Sequence, residues 1–320
     1  MTALPSLITV KALQSRLLLP LIAAPMFLVS GPDLVITACQ NGVIGSFPTA
    51  NCRSLPELDQ WLGRMALETQ GFAPYCPNLI VHRSNPRLAD DLALVIQHRA
   101  QIVIASVGSP EHVVGPLHAA GCLVLADVAS LRHAQKAIAA GVDGLVLLSA
   151  GAGGQTGWAN PFAFVRAVRQ IYDGIIVLAG GISDGVALKA AMALGCDMAY
   201  MGTKFIATQE SMAASAYKQM LVGSQLDDVL LTKAFTGLQT NMLTPSIVAA
   251  GLDPANLPVR GHIDISKDIN AAERDKPEAK RWKDIWSAGH SVSGVTDVPT
   301  VAELVARTRV EYAGAARLGA

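Results

Sequence analysis

Charge is scarce in this chain and neither sign prevails. Of its 320 residues only 16% are charged, Lys+Arg and Asp+Glu are both 25, and the formal net charge is zero. That argues against a basic nucleic-acid surface and against a membrane-docking face. Cysteine is sparse as well. Cys39, Cys52, Cys76, Cys122 and Cys196 are odd in number and form no CxxC pair. Neither a disulfide framework nor a zinc site is indicated, so no metal is expected. Cys122 and Cys196 lie in apolar surroundings and read as core packing. No apolar run reaches the ~20 residues that a membrane helix needs. The opening MTALPSLITVK lacks a basic region followed by an apolar core, so no secretory signal is expected and a soluble cytoplasmic protein is the default. What the chain does have is apolar content, 51%, and 28 glycines. It can build a large core, and it is long enough for one barrel of roughly 250 residues plus an addition.

Strand and helix signals alternate from residue 19 to about 222. Apolar strand candidates fall at 20–24, 42–46, 78–81, 102–107, 122–126, 143–148, 175–179 and 197–201. Their near-continuous Val/Ile/Leu/Ala content suits strands buried on both faces of a parallel sheet. Helical candidates lie at 31–41, 54–70, 86–99, 110–120, 130–140, 161–171, 184–194 and 208–222. AGVDG at 140–144 and LGCDM at 194–198 repeat one pattern: helix, glycine C-cap, short turn, strand. About eight such units predict an α/β fold, a TIM (β/α)8 barrel, with a doubly wound open sheet as the alternative. Residues 1–222 would be the barrel core. The stretch 223–298, with its prolines and the charged run Lys267 to Lys283, reads as a mostly helical insertion capping the barrel mouth, and 299–320 as a C-terminal helix returning to the barrel.

The informative motifs are glycine tips. Ile175 to Ala179 runs into Gly180-Gly181, and Met198 to Met201 runs into Gly202-Thr203-Lys204. Glycine lets the backbone approach a ligand and aim its N–H groups at it. Two such tips on neighbouring strands make an anion cradle. In a (β/α)8 barrel the phosphate site typically lies after strands 7 and 8. Thr203 adds a hydroxyl and Lys204 a cation.

Four further segments are candidates. Ala24-Pro25-Met26 closes the first strand, either as a buried proline turn or as a rigid apolar surface for a flat ring. Asn78, in Tyr75-Cys76-Pro77-Asn78-Leu79, offers a donor and an acceptor to a planar heterocycle, or simply satisfies a turn. Ser149 to Gly157 holds four glycines in nine residues after the sixth strand, which points to ligand contact. Trp286-Ser287-Ala288-Gly289-His290-Ser291 is either a returning loop or a polar loop that carries an imidazole over the mouth.

AAPM at the first strand, AGAGGQTG, AGGI, MGTKF and the late WSAGHS recur here in the order seen in the nitronate monooxygenases, formerly 2-nitropropane dioxygenases, which the chain resembles over about residues 17–317. That family shares its barrel with FMN-dependent enoyl-ACP reductases and with some NAD(P)H:quinone reductases. The resemblance implies FMN, with the phosphate on Gly180, Gly181, Gly202 and Thr203. It places the isoalloxazine near Ala24, Pro25, Met26 and Asn78, with Asp127 and the Ser149–Gly151 loop close by. Two positions depart from the family pattern. Where the family loop reads AGGH, with a proton-handling histidine, this chain has Gln155. Where the late motif usually reads SAGQ, this chain has His290. Glutamine cannot serve as a general base near pH 7. His290 is therefore the candidate replacement imidazole, and Gln155 a hydrogen-bonding partner for a nitro or carbonyl oxygen.

Three functions follow from this. The first is FMN-dependent oxidation of alkyl nitronates with O2, which needs little proton abstraction because a nitronate is already an anion. The second is an NAD(P)H-dependent FMN reductase acting on a quinone or an enoyl thioester. The third is a barrel that binds a phosphorylated ligand without redox chemistry. The expected partners are a small-molecule substrate and, at most, a second copy of the chain as a homodimer, with no nucleic acid and no membrane.

Overall fold

The computed structural model describes residues 10–257 and 284–315. The barrel strands are β1 (Leu21–Ala23), β2 (Ile44–Pro48), β3 (Tyr75–Ile80), β4 (Ile102–Ser106), β5 (Leu123–Val128), β6 (Gly144–Leu148), β8 (Ile175–Ala179) and β9 (Met198–Met201). A short strand, β7 (Gly154–Gln155), lies outside the barrel. The eight strands close in the order β1-β2-β3-β4-β5-β6-β8-β9, every pairing parallel. The helices are α1 (Val10–Gln14), α2 (Pro32–Gln40), α3 (Leu55–Glu68), α4 (Leu88–Gln97), α5 (Glu111–Ala119), α6 (Leu131–Ala139), α7 (Pro161–Arg169), α8 (Gly185–Leu194), α9 (Thr203–Ile206) and α10 (Ser215–Gly223).

Alternation along each strand builds two cores. Ile22, Ile44, Ile104, Leu125, Val146 and Met198 fill the barrel interior. Their neighbours Leu21, Val103, Val124, Leu145 and Ala199 face outward and pack with helix residues such as Leu34, Leu62, Val113 and Leu188. Both faces of each strand are thus apolar, which is why the strands read as continuous runs. Helix starts are capped as their sequences dictate. Ser54, Ser130 and Asp184 accept the backbone N–H of Glu57, His133 and Ala187. Gly195 ends α8 in the left-handed conformation (φ 104°), the C-cap that LGCD predicted.

Some boundaries moved. The second strand runs over 44–48 and the third over 75–80, so Asn78 lies within its strand, not at its start. The predicted helix 208–222 shortens to α10, which begins only at Ser215, and a separate short helix, α9, precedes the predicted span. Of the stretch 223–298, the described residues hold β10 (Val229–Thr232), β11 (Thr240–Leu243), α11 (Thr244–Ala249) and a 3-10 turn at His290–Gly294. β10, β11 and β7 form an antiparallel sheet that the sequence reading left out. The rest of that stretch, including the charged run from Lys267 to Lys283, lies outside the described residues. The final helix, α12 (Val301–Ala315), closes the outer ring against α8. The contact is tight at Gly185, where a Cβ would meet the Thr308 carbonyl oxygen at 2.2 Å, and the Gly185 N–H donates to Glu311 at 2.9 Å.

Candidate active site

A cavity of about 430 Å³ opens at the carboxyl ends of the strands. This is where the βα loops of a barrel converge. Ala24, Pro25, Met26, Asn78, Asp127, Gly151, Gln155, Gly180, Gly181, Gly202 and Thr203, all predicted from sequence, line it. Two predicted residues do not.

The floor is polar and incompletely satisfied. Asp127 sits near the end of β5 and Tyr200 near the end of β9. Asp127 Oδ1 and the Tyr200 hydroxyl are buried and have no hydrogen-bond partner among the described residues. Buried polar atoms normally find partners, so an unpaired couple at a cavity floor marks a place for a bound group. Burial pushes the Asp127 carboxyl up to about 7. Burial also raises the Tyr200 hydroxyl well above its usual value, and the charge of Asp127 adds to that. Asn78 is buried, and its Oδ1 accepts the Ser106 hydroxyl at 3.0 Å. One lone pair of the acceptor that sequence offered to a ligand is thus used by β4.

The two glycine tips divide the work. A Cβ on Gly180 would lie 2.5 Å from Ser149 Oγ, so this glycine permits close packing of the β6 and β8 loops. A Cβ on Gly181 would meet nothing within 4 Å, and one on Gly202 would have only Ala24 at 3.6 Å and Met26 at 3.8 Å. Both positions border open cavity space. Thr203 is buried, and its hydroxyl oxygen accepts the Gly289 N–H at 2.9 Å, which leaves its proton to donate. Lys204 is not a cavity residue. Its ammonium donates to the Gly294 carbonyl, so the cation expected beside the phosphate tip is turned outward.

Ser149 is the first predicted site residue that does not line the cavity. It is fully buried, and its hydroxyl donates to the Ala179 carbonyl at 2.7 Å. It positions the glycine-rich loop instead of touching a ligand. Thr156 donates to the Ser149 carbonyl at 2.8 Å, and Asn241 of β11 to the Ala152 carbonyl at 2.7 Å. His290 is the second. Its N–H donates to the Gly151 carbonyl at 2.9 Å, its ring lies against Gly151, and the residue is exposed. The 3-10 turn explains the miss: Ser291 of that turn is buried and lines the cavity, so its neighbour His290 faces solvent. Gly289 is wedged between the Gly151 oxygen and the Gly153 nitrogen, each within 2.8 Å of where its Cβ would be. The late loop therefore works through its backbone.

Sequence reasoning missed Tyr200, Asn51 and the pair Tyr217–Trp286. Tyr200 was hidden in an apolar strand, although strand alternation with Met198 points it inward. Buried Asn51 ties down the loop after β1: it accepts the Leu28 N–H at 2.8 Å and donates to the carbonyls of Met26 at 3.1 Å and Ser30 at 2.8 Å. Tyr217 and Trp286 stack with centroids 5.0 Å apart and form part of the cavity wall. They come from segments 69 residues apart, and no local signal links them.

The sequence model of the nitronate monooxygenase family matches residues 70–309. The chain belongs to that family. It is 29% identical to a nitronate monooxygenase of Paraburkholderia phytofirmans, over 91% of this chain and 92% of the relative. It is also 25% identical to a (3aS,4S,5R,7aS)-5-hydroxy-7a-methyl-1-oxo-octahydro-1H-indene-4-carboxyl-CoA dehydrogenase of Rhodococcus jostii, over 87% of this chain and 76% of the relative. The fold matches the solved structure of FabK from Thermotoga maritima with a TM-score of 0.80 at 22% identity, covering 97% of both chains. As a member of the nitronate monooxygenase family, this protein is an oxidoreductase. Among the described residues, its cavity is lined by no histidine, lysine or arginine. Its titratable lining groups are Asp127, Tyr200 and Tyr217. No described helix is long and apolar enough to cross a membrane.

Proposed function

We propose that this protein is an FMN-dependent oxidoreductase of the nitronate monooxygenase type, which oxidises alkyl nitronates with O2. The observation that carries the reading is the cavity itself: an unpaired polar floor at Asp127 and Tyr200 beside open backbone at Gly181 and Gly202. The residues present fit FMN. Gly181, Gly202, the Thr203 hydroxyl and the first N–H groups of α9, which have no intrahelical partner, would hold the phosphate. Ala24, Pro25 and Met26 would lie along the ring, and the Asn78 amide, Asp127 and Tyr200 would meet its polar edge. When bound, FMN supplies electron exchange between an organic substrate and O2.

The residues facing that group decide which substrate form reacts. Gln155 can donate to a nitro oxygen but cannot take a proton from carbon. Among the described residues, no imidazole lines the cavity to do so in its place. A substrate that arrives already deprotonated, as a nitronate does, avoids that need. The apolar wall, with Tyr217 and Trp286 stacked in it, limits water around the reacting atoms.

Two observations favour a second reading, an NAD(P)H-dependent FMN reductase acting on a quinone or an enoyl thioester. The absence of an imidazole from the lining among the described residues weakens nitroalkane chemistry, and a relative is a dehydrogenase of a carboxyl-CoA compound. Anaerobic mixing of the FMN-loaded protein with propyl-2-nitronate, NADH and NADPH separates the two. Bleaching of the flavin absorbance by the nitronate alone is the expected result. Bleaching by a nicotinamide and not by the nitronate would replace the first reading with the second.

A further inference from the structure

Three non-glycine residues among those described adopt left-handed backbone: Leu28 (φ 60°), Arg99 (φ 53°) and Val107 (φ 56°). For a β-branched residue this region is a genuine outlier. Such strain persists only where the surroundings enforce it, and it gathers at binding sites. Leu28 and Val107 both line the cavity, although one follows β1 and the other follows β4. Arg99 is exposed and does not line it.

Both cavity residues are held from behind. Leu28 is pinned through its N–H to Asn51 at 2.8 Å. Val107 follows Ser106, which is bonded to Asn78 at 3.0 Å and accepts the Val81 N–H at 2.9 Å. The chain places glycine at 108, whereas position 107, where glycine would relax the backbone, carries a branched side chain. Val107 packs with Phe27 and Ile80 over Ala50, and these two neighbours line the cavity as well. Glycine at 107 would remove this strain, whereas valine there puts hydrocarbon on the cavity lining. Among the described residues, the lining offers a carboxylate-bearing substrate no cationic partner.

We propose that Leu28 and Val107 form a substrate-selecting apolar wall, so that the site takes compounds with a bulky uncharged hydrocarbon body in preference to small or carboxylate-bearing ones. For the reaction, though not for the wall, this rests on the nitronate reading above. The first test compares kcat/KM for the nitronates of 1-nitrohexane, nitroethane and 3-nitropropanoate. Wild type should favour the hexyl compound over each of the others by roughly tenfold or more. Val107→Gly and Leu28→Gly should each cut the hexyl-to-ethyl ratio at least roughly threefold, and each should unfold at a higher temperature than the matching alanine variant, because glycine adopts the left-handed backbone without strain. Arg99→Gly relaxes the same conformation away from the cavity and should leave the ratio as it is. An unchanged ratio in both wall variants, an equal fall in Arg99→Gly, or a wild-type preference for the ethyl or carboxylate compound would overturn the proposal. A second arm needs no turnover: calorimetric binding of 1-octanol and 1-butanol to the flavin-loaded protein. Octanol should bind tighter, and Val107→Gly should narrow the gap. If no nitronate is oxidised yet this gap appears and narrows, the wall stands and the nitronate reading falls. The absence of a gap overturns the wall.

Discussion

Gly202→Ala separates cofactor binding from folding more cleanly than any other single change at this site. The backbone at Gly202 has φ −104°, which alanine adopts without strain. The added Cβ would find only Ala24 at 3.6 Å and Met26 at 3.8 Å, both ordinary contacts. The fold cost is then the loss of glycine at a helix N-cap, roughly 0.5–1 kcal/mol. On the proposed FMN reading, the same methyl stands where the phosphate would come within hydrogen-bond reach of the N–H groups at the start of α9. Losing one charge-assisted bond costs about 1.5–3 kcal/mol, a roughly 10- to 150-fold rise in the Kd for FMN. Gly181 is a poorer probe because its φ of 77° would strain any side chain, mixing the two effects. The assay is flavin fluorescence on titration into apo-protein, with thermal unfolding of the apo form measured in parallel. Gly202→Val should weaken binding further, since its branches reach deeper into the cavity. Wild-type affinity in both variants would refute the placement of the phosphate at this tip. A fall in affinity matched by an equal fall in apo stability would refute the separation.

Other predictions follow from the floor and the loops. Asp127 titrates near 7 in the fold against about 4 unfolded, so between those values the folded protein keeps a proton that the unfolded chain has released. Stability therefore falls as pH rises from about 4 to about 7. Asp127→Asn should remove that loss, stabilising apo-protein at pH 8 relative to pH 4 by at least about 1 kcal/mol, and a pH-independent difference would show that the carboxyl is ordinary. Gln155→His should raise turnover of neutral nitroalkanes more than of nitronates, up to about 10²-fold for an imperfectly placed base, and equal changes on both forms would remove position 155 from proton transfer. His290→Gln should leave turnover and its pH dependence unchanged, since the residue is exposed, and a change in either would return His290 to the chemistry. Asn51→Ala should destabilise by about 1–3 kcal/mol, because it strands the Leu28 N–H and two carbonyls, and a neutral result by denaturant titration would deny it the role of loop clamp.

The barrel and most of the site were legible in the chain because their causes are local. An apolar run ending at glycine is a buried strand with an open tip wherever it occurs, so Gly180, Gly181, Gly202 and Thr203 could be named from spacing alone. Ser54, Ser130 and Asp184 cap helices through contacts three residues away, and the C-cap at Gly195 needs only its own φ. Which way a loop residue faces is not a local property. Whether His290 or Ser291 enters the cavity depended on how Gly289 wedges against Gly151 and Gly153, two segments more than 130 residues distant in sequence. Lys204 turned outward because the Gly294 carbonyl stands there to receive it. Ser149 became a brace because Ala179 offers a carbonyl beside it. The unpaired couple of Asp127 and Tyr200 exists because the closed sheet brings β5 and β9 around one interior, where Asp127 Oδ1 and the Tyr200 hydroxyl find no partner among the described residues. Strand and helix came from periodicity and short-range bonds. The aim of each functional side chain came from long-range packing, which settles between neighbouring residues that are equivalent in a linear reading.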